Sequence, residues 1–164
     1  MIVKHGKLSA SYRLESIGWL HDYHQEDDHS CGFLAALVVA RFYKAATAKE
    51  VLKAVRPKVS CGVDGDRMLC ALRSLGLVAE YRDDLTLDDL RLLTLERVPV
   101  VLTIYHEEWG CDHWVVVKRV GLNRVSLTNN PSLSIPEFES QWFEHGEGII
   151  TRRSPSDRET DEAS

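Results

Sequence analysis

Gln25–Lys44 reads QEDDHSCGFLAALVVARFYK. A polar run of acids and histidines meets a single cysteine and turns apolar at once. Leu34, Leu37, Val38 and Phe42 recur at helical spacing, and nothing between Gly32 and Lys44 breaks a helix. The segment therefore predicts a largely buried central helix that starts at or next to Cys31. A structural cysteine belongs inside such an apolar run, whereas this thiol stands at its first position. There a helix leaves N–H groups unpaired and presents the positive end of its dipole, a setting that lowers a thiol pKa.

Outward from this helix, Thr47-Ala48-Lys49-Glu50 is a capping-box pattern opening a shorter helix that ends before Pro57. Met68, Leu69, Leu72 and Leu75 mark a third helix closed by Gly76, and Thr86 caps a fourth in LDDLRLLTLE, whose acidic first turn suits the dipole. The period then changes. Val98–Tyr105, His113–Val120 and Arg124–Thr128 are short, rich in β-branched residues and separated by turn signals, with a tight hairpin at Gly121-Leu122-Asn123. Gly148–Arg153 predicts a last strand. Helices first and antiparallel strands second predict an α+β fold with the sheet packed on the helix of Cys31. Residues 1–24 show no sustained period and are expected to be an N-terminal extension packed on a domain spanning 25–153, followed by a disordered polar tail over 154–164.

With 164 residues, 44% of them apolar, the chain is sized for one globular core. A net charge of -5 argues against binding nucleic acid or an anionic membrane. The longest apolar run, Phe33–Ala40, is too short to insert in a membrane, and the first residues lack the apolar stretch of a secretion signal. A bacterial-type cytoplasmic location is expected, with Cys31, Cys61, Cys70 and Cys111 as reduced thiols, because their spacing is irregular and no CxxC occurs. No cofactor is expected, and peptides or proteins are the expected partners.

Thiol catalysis needs a base, an orienting group for that base and donors for an oxyanion. His113 opens an apolar strand that can hold the ring rigidly. The hairpin from His113 returns along Arg124–Thr128 and delivers Asn129-Asn130 beside it. Strand alternation from Val125 and Leu127 favours Asn129 and a hairpin without a bulge, while adjacency to Pro131 favours Asn130. Gln25 precedes Cys31 in the adjoining loop, where its side-chain amide is a candidate oxyanion donor.

Gln25, Cys31-Gly32 opening a helix, His113 opening a strand and an asparagine before proline together resemble the papain-like cysteine peptidases. The run from Gly62 to Val120 is similar to the bacteriocin-processing, double-glycine leader peptidases, in which a helix, a "GL" turn, a helix, a "PVV" strand and a histidine strand follow in this order. The resemblance covers about Gln25 to Trp142. It implies a papain-like fold and a cysteine peptidase with Cys31 as nucleophile, His113 as general base and acid, Asn129 or Asn130 as orienting residue and Gln25 as oxyanion donor. The family usually carries aspartate before the proline. Its best-known members are fused to a membrane transporter, so a stand-alone relative with another substrate is the other expectation.

Rival readings are a papain-like module that grips a peptide without turnover, an amidase or acyltransferase using the same Cys-His chemistry, and a metal site in His21–Cys31. The metal reading is set aside, because hard and soft ligands mix there without a standard spacing. Trp114 is expected in the core and Trp109 as the better peptide contact. Cys111 and Asp112 line the expected site without an assigned role.

Overall fold

The computed structural model describes residues 1–58, 62–108, 110–142 and 146–157. Cys61, Trp109 and most of the polar tail lie outside the described residues. The chain opens not on irregular segments but on three strands, β1 (Ile2–His5), β2 (Leu8–Ile17) and β3 (His21–Gln25), paired antiparallel in that order. Their apolar positions are sparse because much of β2 faces solvent, so the alternation that marks a half-buried strand is interrupted.

Four helices follow much as the patterns require. They are α1 (Cys31–Tyr43), α2 (Ala48–Val55), α3 (Gly65–Ser74) and, after β4 (Leu77–Arg82), α4 (Leu87–Leu95). Thr47 with Glu50, and Thr86 with Asp89, form reciprocal capping boxes, and the side chain of Asp64 caps α3. The second half gives β5 (Val100–His106), β6 (Cys111–Val120), β7 (Arg124–Leu127), β8 (Leu133–Ser134), α5 (Ile135–Trp142) and β9 (Gly148–Arg153). The order in the larger sheet is β4-β9-β5-β6-β7-β8. The sequence patterns did not reveal β4, β8 or α5, and β6 begins at Cys111, so His113 is not its first residue.

The larger sheet is covered on both faces, which is why β6 reads as an unbroken apolar run rather than an alternating one. Val101, Trp114, Val116 and Ile149 face α1, α2, α3 and the N-terminal sheet. Val100, Leu102, Val115 and Val117 face α4 and α5, where Phe138 stacks on Trp142. Trp114 is in the core as expected, with its indole N–H donating to the Val63 carbonyl at 2.7 Å.

Gly148 starts β9 where the second core is tightest. A Cβ there would stand 2.8 Å from Leu85 Cδ1, 3.3 Å from Val100 Cγ1 and 3.6 Å from the Val101 carbonyl oxygen. Gly148→Ala is expected to destabilise the chain by about 1–3 kcal/mol through overpacking, read as a lower urea midpoint. An unchanged midpoint would show that Leu85 swings aside at no cost.

Candidate active site

The loop from β3 into α1 is built around Asp27. Its carboxylate accepts the backbone N–H groups of Ser11 at 2.8 Å, Ser30 at 2.9 Å and His29 at 3.1 Å, and the Ser30 hydroxyl at 2.6 Å. Burial disfavours the Asp27 charge, but these hydrogen bonds outweigh it and hold the carboxyl below its ordinary range. Ser30 is the residue before α1, yet its hydroxyl is committed to Asp27 and no side chain caps the helix. The N–H groups at the start of α1 are thereby left to the thiol.

Backbone N–H groups of Trp114, Gly32 and Cys31 itself favour the Cys31 thiolate, but burial exceeds them and pushes the thiol above its ordinary 9.0. The expectation of a thiol made acidic by its helix terminus is overturned here. Desolvation of a sulfur enclosed between α1 and β6 costs more than the helix N–H groups return. The Trp114 N–H also locates the sulfur: it belongs to the residue next to His113.

His113 is 2% exposed, and its Nε2 lies 2.8 Å from the main-chain carbonyl of Asn129. A carbonyl only accepts, so Nε2 carries the proton and Nδ1 is the basic nitrogen of the neutral ring. Burial pushes the imidazole below its ordinary 6.5, against the opposing hydrogen bond to Asn129, and His106 lowers it further. The rings of His106 and His113 meet edge to face with centroids 6.3 Å apart.

Asn129 therefore meets the His113 ring through its main-chain carbonyl and not through its side-chain amide. β7 ends at Leu127, and the Thr128 hydroxyl accepts the Val116 N–H at 2.9 Å in place of a continuing strand. Asn129 then turns into the left-handed region at φ 52, which asparagine tolerates better than most residues. Its amide is spent on Gln25: Oδ1 accepts the Gln25 backbone N–H at 2.9 Å, and Nδ2 donates to Gln25 Oε1 at 3.1 Å. Since a backbone N–H must meet an oxygen, the amide orientation of Asn129 is fixed. Gln25 Oε1 is engaged, so its NH2 group is directed away from Asn129. Asn130 stands at the rim with its amide donating to the Pro131 carbonyl at 2.8 Å.

The hairpin also departs from the expected bulge-free closure. The β6–β7 register shifts between Val117 and Arg119, placing the irregularity at Lys118. Lys118 reaches the carboxylate of Asp22, at 2.9 Å, and its carbonyl accepts the Trp19 indole N–H at 2.9 Å.

Gln25, Cys31, His113 and Asn129 line one cleft of about 950 Å³, with Asn130 at its edge. Arg13, Glu15 and His24 of β2 and β3 also line it, so residues read as an extension contribute to the cleft. A second cleft of about 600 Å³, lined in part by Val63, Thr103, Trp114 and Ile149, meets the first at Asp28, Cys31, Cys111 and Asp112. An extended chain laid through both would cross the sulfur. The sequence did not single out Asp22 or His106, which the fold brings against the Asn129 N–H and the His113 ring. Within the proposed metal segment, Asp22 pairs with Lys118, Asp27 holds the loop, and His29 contacts the Ser9 carbonyl. Among the described residues no three such side chains are grouped to share a metal ion. No helix among them is long and apolar enough to cross a membrane. Cys31, Cys70 and Cys111 are free thiols.

The architecture matches solved peptidase domains. The peptidase domain of Streptococcus ComA, a bifunctional ABC transporter involved in a quorum-sensing pathway, superposes with TM-score 0.65 at 17% identity, covering 80% of this chain and 96% of that one. A double-glycine motif protease from an AMS/PCAT transporter, in complex with the leader peptide, gives 0.64 at 17% identity over 93% of this chain and 98% of that one. The Streptococcus mutans ComA peptidase domain gives 0.52 at 17% identity, over 79% of this chain and 96% of that one. No protein-family profile and no curated protein matches the sequence. The fold of this chain is thus the α+β papain-like fold of the leader-peptidase domains, as the resemblance implied.

Proposed function

We propose that this chain is a cysteine peptidase acting on a peptide of the leader type, extended across Cys31. The observation that carries the reading is the convergence on one cleft of a helix-terminal thiol, an imidazole with Nε2 pinned and a glutamine with Oε1 pinned. As the sulfur attacks the scissile carbonyl, its proton passes to His113 Nδ1. The Gln25 NH2 and the Cys31 N–H hold the developing oxyanion. Collapse expels the amine, which takes the proton from the imidazolium and leaves a thioester. Water, deprotonated by His113, then releases the acid. Burial raises the thiol and lowers the imidazole, both toward the neutral forms, which favours proton transfer that accompanies attack instead of preceding it.

The test is digestion of an end-labelled peptide library, including peptides with Gly-Gly before the cut, followed by mass spectrometry. Loss of intact peptide with a transient mass on Cys31 supports the reading. Binding without cleavage favours the non-hydrolytic module, a reading to which the raised thiol pKa lends some support. Transfer of the acyl group to added hydroxylamine at the expense of hydrolysis favours the acyltransferase. Gln25→Ala is expected to lower kcat on the order of 100-fold and leave KM nearly unchanged, because the donor acts on charge that exists only in the transition state. Equal effects on both constants would count against that role.

A further inference from the structure

We infer that Asp22 is the positioning residue of this site, holding the base and the oxyanion donor together through Asn129. The inference rests on the peptidase reading for its kinetic consequence. Asp22 lies in β3, is 8% exposed, and is separated from Asn129 by 107 positions in sequence. One carboxylate oxygen accepts the Asn129 backbone N–H at 2.8 Å and the other accepts the Lys118 ammonium at 2.9 Å. Asn129 is thereby gripped at its N–H by Asp22 and at its side chain by Gln25, while its carbonyl receives His113 Nε2. Asn129 adopts a left-handed φ of 52, and in that conformation its carbonyl meets the ring while its side chain meets Gln25. An asparagine released from Asp22 relaxes toward extended backbone, and both contacts are lost together.

The carboxylate expected before the proline is absent, and Asp22 provides one from another strand, a single residue removed from the imidazole. Lys118 offsets its charge, so Asp22 acts by the geometry it imposes on Asn129 and not as a bare anion beside the ring. Its bond to the Asn129 N–H is charge-assisted and therefore strong. The bulge at Lys118 brings the ammonium into reach and satisfies the second carboxylate oxygen, which burial demands.

The experiment reads the His113 ring directly by nitrogen NMR at mildly alkaline pH and follows the kinetics beside it. The wild-type ring is expected to populate the Nε2–H tautomer alone. Asp22→Ala is expected to give a mixture of both tautomers and a kcat lower on the order of 100-fold, with KM within about twofold, as loss of alignment predicts. In Asp22→Asn the new amide opposes the Lys118 ammonium, so recovery is expected only in the Asp22→Asn/Lys118→Met pair, whose amide oxygen still accepts the Asn129 N–H. A folded Asp22→Ala with the wild-type tautomer and kcat overturns the inference, as does a folded double variant that is no better than Asp22→Ala. If Asp22→Ala does not fold, the comparison of Asp22→Asn with the double variant decides: restored tautomer supports the inference, and identical mixtures overturn it. Should the wild type cut no peptide, the tautomer still decides the role of Asp22, so the two readings fail separately.

Discussion

Cys31→Ala is expected to abolish peptide turnover, by a factor on the order of 10⁴–10⁶, and to leave the fold intact. Of the two thiols at the junction of the clefts, Cys31 is the one at the start of α1 with backbone N–H groups on its sulfur, and alanine offers no nucleophile there. The same change is expected to cost about 1 kcal/mol, since a single sulfur atom is removed from a half-buried residue and the backbone of α1 is untouched. Peptide affinity is expected to survive, which makes this variant suitable for capturing a bound substrate. Residual cleavage at the wild-type site, by a preparation free of contaminating protease, would remove Cys31 from the mechanism. In the wild type, burial keeps the thiol protonated, so alkylation of Cys31 by iodoacetamide should still accelerate as the pH rises past the ordinary thiol value of 9.0. A rate already flat at neutral pH would show a preformed thiolate instead.

His113→Gln is expected to lower kcat on the order of 10⁴-fold. Glutamine can still donate to the Asn129 carbonyl, which keeps that buried acceptor satisfied, but it cannot take the thiol proton. The pH profile of the wild type follows from the two shifts. Protonating His113 removes the base, and its pKa lies below the ordinary 6.5, so the acid limb of kcat/KM falls below that value. Ionising Cys31 without protonating His113 removes the proton needed by the leaving amine, and the thiol pKa lies above 9.0, so the alkaline limb falls above that value. A broad plateau between the limbs is the expected profile. A narrow bell centred near neutrality would contradict the neutral resting pair. The depressed imidazole also contributes stability that is present above its unfolded pKa and is lost as pH falls through the folded one.

The sequence by itself determined the features that are local in the chain. Residues Leu34, Leu37 and Val38 announce α1 because helical spacing is a property of the nearest turns, and the caps at Thr47 and Thr86 are closed within three residues. The strands β5, β6, β7 and β9 were legible because runs of β-branched residues bounded by turns suit a buried sheet wherever it pairs. Cys31 and Gln25 were legible as chemical types at element boundaries and His113 as a histidine at the head of an apolar run, and the fold they suggested is the one observed.

Tertiary structure decided what depends on partners distant in sequence. The first three strands escaped notice because half of β2 is solvated and the pattern is broken, so only pairing and burial of Ala10 and Tyr12 reveal them. That Asn129 meets the histidine by its main chain, while its side chain goes to Gln25 and its N–H to Asp22, rests on partners more than 100 positions away in sequence. The protonation of Cys31 turned on the same kind of fact: a helix terminus is visible in sequence, but the desolvation that outweighs it exists only where α1 packs against β6.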